Sequence, residues 1–187
     1  MSYIGKTPTA APLTSGDISD GIISTAKIAD DAISAAKLAS GVGGKVVQIV
    51  NVTKTDTFST NASSYTDVTG LSAAITPSST SNKIYVVLSI YVSDDTQTCN
   101  GICNIVRGTT QLQETVARLP QEGQSVYRLY NLSMTDFDSP ATTSATTYKI
   151  QIKTNAGTMY VNRAANQGGF SNTATATLTL MEIAGWL

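Results

Sequence analysis

The chain of 187 residues contains no histidine. Without an imidazole there is no Ser-His-Asp or Cys-His activation of a nucleophile and no His-ligated metal site. Thiol and carboxylate chemistry remain. The two cysteines, Cys99 and Cys103, are four residues apart. On a strand both point to one face about 13 Å apart, too far for a disulfide, and two thiols are too few for a zinc site. They are expected to be small buried thiols in a reducing compartment. The 13 acidic residues leave carboxylate-pair hydrolysis formally open, but no spacing singles out two of them. Asp94-Asp95 and Asp136-Phe137-Asp138 offer the oxygens calcium takes, yet neither matches an EF-hand loop and both read as turns. Glu182 lies among Leu180, Met181 and Ile183. Pointing inward it needs a partner such as Arg107 or Arg118, which predicts a structural ion pair. Arg107 itself is placed at a hairpin tip, where solvation is the simpler expectation. No catalytic residue, cofactor or metal ligand is expected, and the protein is not expected to be an enzyme.

The elements that would carry these residues follow from composition and periodicity. Charged residues are 13% of the chain, against about 25% in an average soluble domain. The 28 threonines and 20 serines fill much of that gap, and threonine suits a pleated surface. An all-β fold is expected. The net charge is −1 and Lys and Arg do not cluster, so the basic stripe of a nucleic-acid binder is missing. No stretch approaches the ~18 apolar residues of a membrane span, so no membrane insertion is expected.

From Val46 onward apolar residues alternate by twos. The strongest strand runs from Lys83 to Ser93. Ile84, Val86, Leu88, Ile90 and Val92 make one face; Tyr85, Val87, Ser89 and Tyr91 make the other. The second face is Tyr-rich and not freely polar, so Tyr85 and Tyr91 are candidates for packing between subunits. Further strands are expected at Tyr65–Ala74, Ile102–Gln113, Val126–Thr135, Thr146–Lys153, Thr158–Arg163 and Ala176–Ile183. Turn signals separate them at Thr76-Pro77-Ser78, Arg107-Gly108, Leu119-Pro120-Gln121, Asp138-Ser139-Pro140 and Asn155-Ala156-Gly157. About eight short strands and no long helix predict a β-sandwich or jelly roll over 46–187. The Gly-rich loop from Ala164 to Phe170 reads as a surface loop, with receptor contact as its alternative.

Residues 1–45 follow other rules. Ile18-Ser19-Asp20-Gly21-Ile22-Ile23-Ser24-Thr25-Ala26-Lys27 is followed by Ile28-Ala29-Asp30-Asp31-Ala32-Ile33-Ser34-Ala35-Ala36-Lys37, and a third unit starts at Leu38. Ten is an even number, so in extended chain every unit returns to one face. Ile22, Ala26, Ala29, Ile33 and Ala36 also fit a short amphipathic helix, and both conformations stay open. Either way one copy cannot bury the apolar stripe on itself, and two and a half units are too few for a solenoid. Ile18, Ile23, Ile28, Ile33 and Leu38 are therefore candidates for packing between subunits. Ser40-Gly41-Val42-Gly43-Gly44 reads as a joint.

The opening Met1-Ser2-Tyr3-Ile4-Gly5-Lys6-Thr7-Pro8 and the repeat from Asp20 to Ala39 resemble the start of marine bacteriophage fibre-like virion proteins. Ile105-Val106-Arg107-Gly108-Thr109-Thr110, Asp138-Ser139-Pro140 with Thr147-Tyr148-Lys149-Ile150, and Leu178-Thr179-Leu180-Met181-Glu182-Ile183 resemble the C-terminal domain of the same family. The resemblance implies a homotrimer with a jelly-roll-like C-terminal sandwich, preceded by an extended or partly helical anchor and shaft over 1–45. It makes Tyr3, Ile4 and Gly5 the candidate virion anchor. The partners it implies are tail or capsid proteins of the phage, with a host cell-surface glycan or protein as a receptor. The expected location is the virion, assembled in the host bacterial cytoplasm. The brief repeat favours a short tail fibre or spike over a long shaft. A capsid decoration, cement or head-fibre role is the alternative, and a polysaccharide-degrading enzyme is a more distant one.

Overall fold

The computed structural model describes residues 28, 45–96, 101–117, 129–166 and 174–184. Residues 45–187 form a compact unit of their own. Of the candidates in 1–45 only Ile28 is among the described residues, where it is exposed. Tyr3, Ile4, Gly5, Ile18, Ile23, Ile33 and Leu38 lie outside them, as do Cys99 and Arg118.

The alternating segments form strands. They are β1 (Val46–Lys54), β2 (Phe58–Thr60), β3 (Thr66–Ile75), β4 (Lys83–Asp94), β5 (Gly101–Arg107), β6 (Thr110–Ala117), β7 (Tyr130–Asp138), β8 (Thr146–Lys153), β9 (Met159–Val161) and β10 (Ala176–Ile183). No helix is present among the described residues. All pairings are antiparallel.

The eight longer strands make two sheets. One has the order β1-β10-β4-β7 and the other β3-β8-β5-β6. Strands distant in sequence therefore lie side by side, and the chain crosses between sheets after β1, β3, β4, β6, β7 and β8. That is the double Greek key of a jelly roll. The short β2 and β9 pair with each other, and β9 extends the first sheet along the end of β4. The β5–β6 hairpin turns on Gly108 and Thr109, with Gly108 at φ 57°. A left-handed residue first in a two-residue loop is the II′ pattern, whose twist matches the strands, and it requires glycine there.

The core lies between the sheets. Ile84, Val86, Leu88, Ile90 and Val92 of β4 are fully buried, as are Tyr148, Ile150 and Ile152 of β8 and Ala176, Leu178 and Leu180 of β10. Cys103 is a buried free thiol, and burial pushes its pKa up to about 12. It behaves as a small apolar side chain rather than a nucleophile.

Three expectations about charged residues are corrected. Asp136-Phe137-Asp138 is the end of strand β7, not a carboxylate-rich turn. Asp138 points inward, where Arg107 Nη1 donates to both its oxygens at 2.8 and 2.7 Å and Tyr148 Oη donates at 2.6 Å. Arg107 is thus paired rather than solvated, and it ties the end of β5 in one sheet to the end of β7 in the other. Glu182 is fully buried, and among the described residues no cation pairs with it. Its carboxylate accepts from the Ser78 amide at 2.7 Å, the Ser78 hydroxyl at 2.7 Å, Asn82 Nδ2 at 2.6 Å and Gln48 Nε2 at 2.5 Å. Neutral donors suffice because four hydrogen bonds replace its hydration.

Candidate interaction surface

Each sheet has an inner face against the core and an outer face. In antiparallel strands, directly paired residues project to the same side, so the register fixes what each outer face displays. On the β1-β10-β4-β7 sheet one row runs Ile49–Met181–Tyr85–Phe137, each residue directly opposite the next. It crosses all four strands and contains only apolar or aromatic side chains. Tyr85 and Phe137 stack, with ring centroids 4.4 Å apart and an interplanar angle of 22°. Such a cross-strand aromatic pair adds to sheet stability. Ile49 is nevertheless 61% exposed and Phe137 56%. Val46 and Val47, at the start of β1, are exposed beside this row, and Ile183 is opposite Val46.

The next rows are polar without being charged. Asn51, Thr179, Val87 and Thr135 form one; Thr53, Thr177, Ser89 and Ser133 form the next; Tyr91 and Asn131 follow. Their polar groups bond one another. Asn51 Nδ2 donates to Thr179 Oγ1 at 2.7 Å, Asn131 Nδ2 to Ser89 Oγ at 2.9 Å and Ser133 Oγ to Asn131 Oδ1 at 2.9 Å. A polar group already bonded within the protein loses less when water is removed from above it. Lys83 is the one charged side chain projecting from these rows among the described residues, at their margin, where its Nζ donates to Ser139 Oγ at 3.2 Å.

The outer face of the β3-β8-β5-β6 sheet is built from charge. Lys149 Nζ donates to Asp67 Oδ2 at 2.9 Å and Gln151 Nε2 to Asp67 Oδ1 at 2.7 Å. The bonds from Lys149 and then Gln151 hold the Asp67 carboxyl below its ordinary pKa. Tyr65 donates to Glu114, and Gln111 Nε2 donates to the same carboxylate at 3.1 Å. The ammonium of Lys153 sits 4.1 Å from the centre of the Tyr65 ring. Desolvation, followed by the bond to Glu114, pushes the Tyr65 hydroxyl up to about 12.

Of the residues singled out by sequence, Tyr85 and Tyr91 lie on the uncharged outer face, two rows of Thr, Ser and Val apart. Ile49, Met181 and Phe137 join Tyr85 there and were not anticipated as a group. Period-two alternation marks which side of a strand each residue takes, but only strand order and register reveal that four of them form one row. Among the described residues no group of three or more His, Cys, Asp or Glu could hold a metal ion. No helix among them is long and apolar enough to cross a membrane.

No family model matches the chain, and no curated protein matches it. Among solved structures it is similar to that of the infectious bursal disease virus Gt strain, with 14% identity, a TM-score of 0.41 and coverage of 74% of this chain and 38% of that one. For the Gx strain of that virus the values are 15%, 0.39, 74% and 37%. For its VP2 subviral particle they are 14%, 0.39, 74% and 37%. The chain spans less than two-fifths of the length of each.

Proposed function

We propose that this protein is a non-enzymatic structural subunit of a bacteriophage particle, a short trimeric spike or tail fibre attached through residues 1–45, with the jelly-roll unit projecting outward. The observation that carries the proposal is the uncharged outer face of the β1-β10-β4-β7 sheet. A domain that works alone in water rarely keeps an exposed aromatic-aliphatic row on a face whose only charge among the described residues, Lys83, lies at its margin, and interface centres are depleted of charge and enriched in aromatic residues. The virion assignment rests on the sequence resemblance of residues 1–8, 20–39 and the later strands. The repeat of Ile18, Ile23, Ile28, Ile33 and Leu38 supports assembly independently, because one copy cannot bury it. The work of such a subunit is display. Identical domains, each binding a host-surface glycan or protein weakly through loops at the far end, gain avidity from tethering.

Purified phage particles probed with antibody against residues 45–187 test the assignment. The protein is expected to co-purify with particles and to label one structure on them. Copy numbers in the tens or fewer per particle fit a tail fibre, whereas hundreds fit a capsid decoration protein. Absence from purified particles overturns the virion assignment.

A further inference from the structure

We infer that a second copy of this chain packs against the Ile49–Met181–Tyr85–Phe137 row, and that the contact between copies is centred at that end of the β1-β10-β4-β7 sheet. This rests on the assembly proposed above and names its contact surface.

The charge distribution identifies the occupant. A partner of different sequence can be chosen and steered by complementary charge. A surface that meets its own copies near a symmetry axis has no such freedom, because any charge there faces its like. The outer face meets that condition across its rows, with Lys83 held at the margin by Ser139. The polar rows already bond internally, so covering them strands few donors. The apolar row spans all four strands without interruption. Its exposed ends, Ile49 at 61% and Phe137 at 56%, lie on the two outer strands of the sheet. A copy seated across the row therefore reaches both.

The area approaches that of a small interface. Four strands at about 4.8 Å spacing and seven residues at about 3.4 Å give a footprint of about 450 Å² in projection, which side-chain relief enlarges toward the ~600 Å² per partner of the smallest stable interfaces. The opposite sheet offers no equivalent, because its outer face carries Lys149, Asp67, Glu114 and Lys153.

Light scattering of the full-length chain at micromolar concentration, with single lysine substitutions, tests the inference. The wild-type chain is expected to scatter as an oligomer. Ile49→Lys and Phe137→Lys are expected to raise the concentration at half assembly by about a hundredfold or more, since each buries like charges against one another. Thermal unfolding of the chain should persist, because both side chains are exposed. Val116→Lys, at a comparably exposed position of β6 (53%), should assemble as wild type does. If a lysine unfolds the chain, Ile49→Thr and Phe137→Thr replace it and are expected to weaken assembly at least tenfold. A wild-type oligomer that all these face variants leave intact overturns this inference alone. A monomeric wild-type chain overturns the inference and the oligomeric part of the proposed function together, while particle location is decided separately by the antibody experiment.

Discussion

The two outer faces of the sandwich share one core and are made by the same alternation, yet they differ in almost every outward residue. Strand β8 turns Tyr148, Ile150 and Ile152 inward and Lys149, Gln151 and Lys153 outward. Strand β10 turns Ala176, Leu178 and Leu180 inward and Thr177, Thr179 and Met181 outward. The inward sets are interchangeable in kind. The outward sets are not: one engages Asp67 and Tyr65, and the other presents threonine and methionine. The core residues specify a jelly roll, and the outward residues specify which side of it remains wet. A face whose charges are paired within the chain is complete alone. In the proposed assembly, the face that has given up charge is completed by a second copy of the chain.

That contrast presumes that both faces ride on one intact sandwich, and cutting the tie between the sheets should break it most strongly. Arg107→Ala leaves Asp138 inward, 7% exposed, with Tyr148 as its one remaining side-chain donor among the described residues. A loss of about 3 kcal/mol is expected, the low end for breaking a largely buried pair. Denaturant unfolding of the full chain measures it. The double variant Arg107→Ala with Asp138→Asn should lose less than Arg107→Ala alone, because the stranded charge is the main penalty. Equal losses would mean that the contact acts through packing and not through charge.

The strands were legible where alternation is strict. Thr146–Lys153 and Ala176–Ile183 match β8 and β10 in full, and Lys83–Ser93 falls one residue short of β4. Strand β7 was displaced, expected at Val126–Thr135 and found at Tyr130–Asp138. The reason is local: an Asp-Phe-Asp sequence before Ser139-Pro140 has the composition of a turn, and only the facing Arg107 and Tyr148 make an inward Asp138 tolerable. The same error hid Phe137, the most exposed aromatic of the row. Glu182 was correctly expected to need a partner, but the donors that satisfy it come from Gln48, Ser78 and Asn82, far away in sequence. Strand β10 was recognisable by itself, but that β1 and β4 lie on either side of it was not, and the row through Met181 exists only because they flank it.

Acid should sharpen the contrast at the apolar end. Burial alone would raise the Glu182 pKa, but the bonds from Asn82, Gln48 and Ser78 outweigh it and hold the carboxyl below its ordinary value. A group with a depressed folded pKa contributes stability that is complete above the unfolded value, about 4.3, and is lost as pH falls through the lower folded value. Melting temperature measured from pH 7 down to pH 2.5 should therefore decline below about pH 4.3, and Glu182→Gln should flatten that decline while lowering the melting temperature at pH 7. An unchanged slope in Glu182→Gln would assign the acid sensitivity elsewhere.

The smallest effect is expected on the charged face. Asp67→Asn removes the ion pair with Lys149, but the Asp67 side chain is 55% exposed and solvent screens it, so the loss in denaturant unfolding should stay within about 1 kcal/mol. Assembly measured by light scattering should not move. A change in assembly would mean that the two faces are not independent.

The central claim is that in the assembled protein one outer face is covered and the other is wet. Phe137 and Val116 are a matched pair for testing it, being 56% and 53% exposed in the single chain on opposite sheets. Hydroxyl-radical footprinting of the full-length chain, read by mass spectrometry above and below its assembly concentration, compares them directly. The account predicts that assembly protects Phe137 severalfold, together with Ile49 and Met181, and leaves Val116 and Tyr65 labelled as before. Equal labelling of Phe137 at both concentrations, or protection of Val116 in its place, would contradict it.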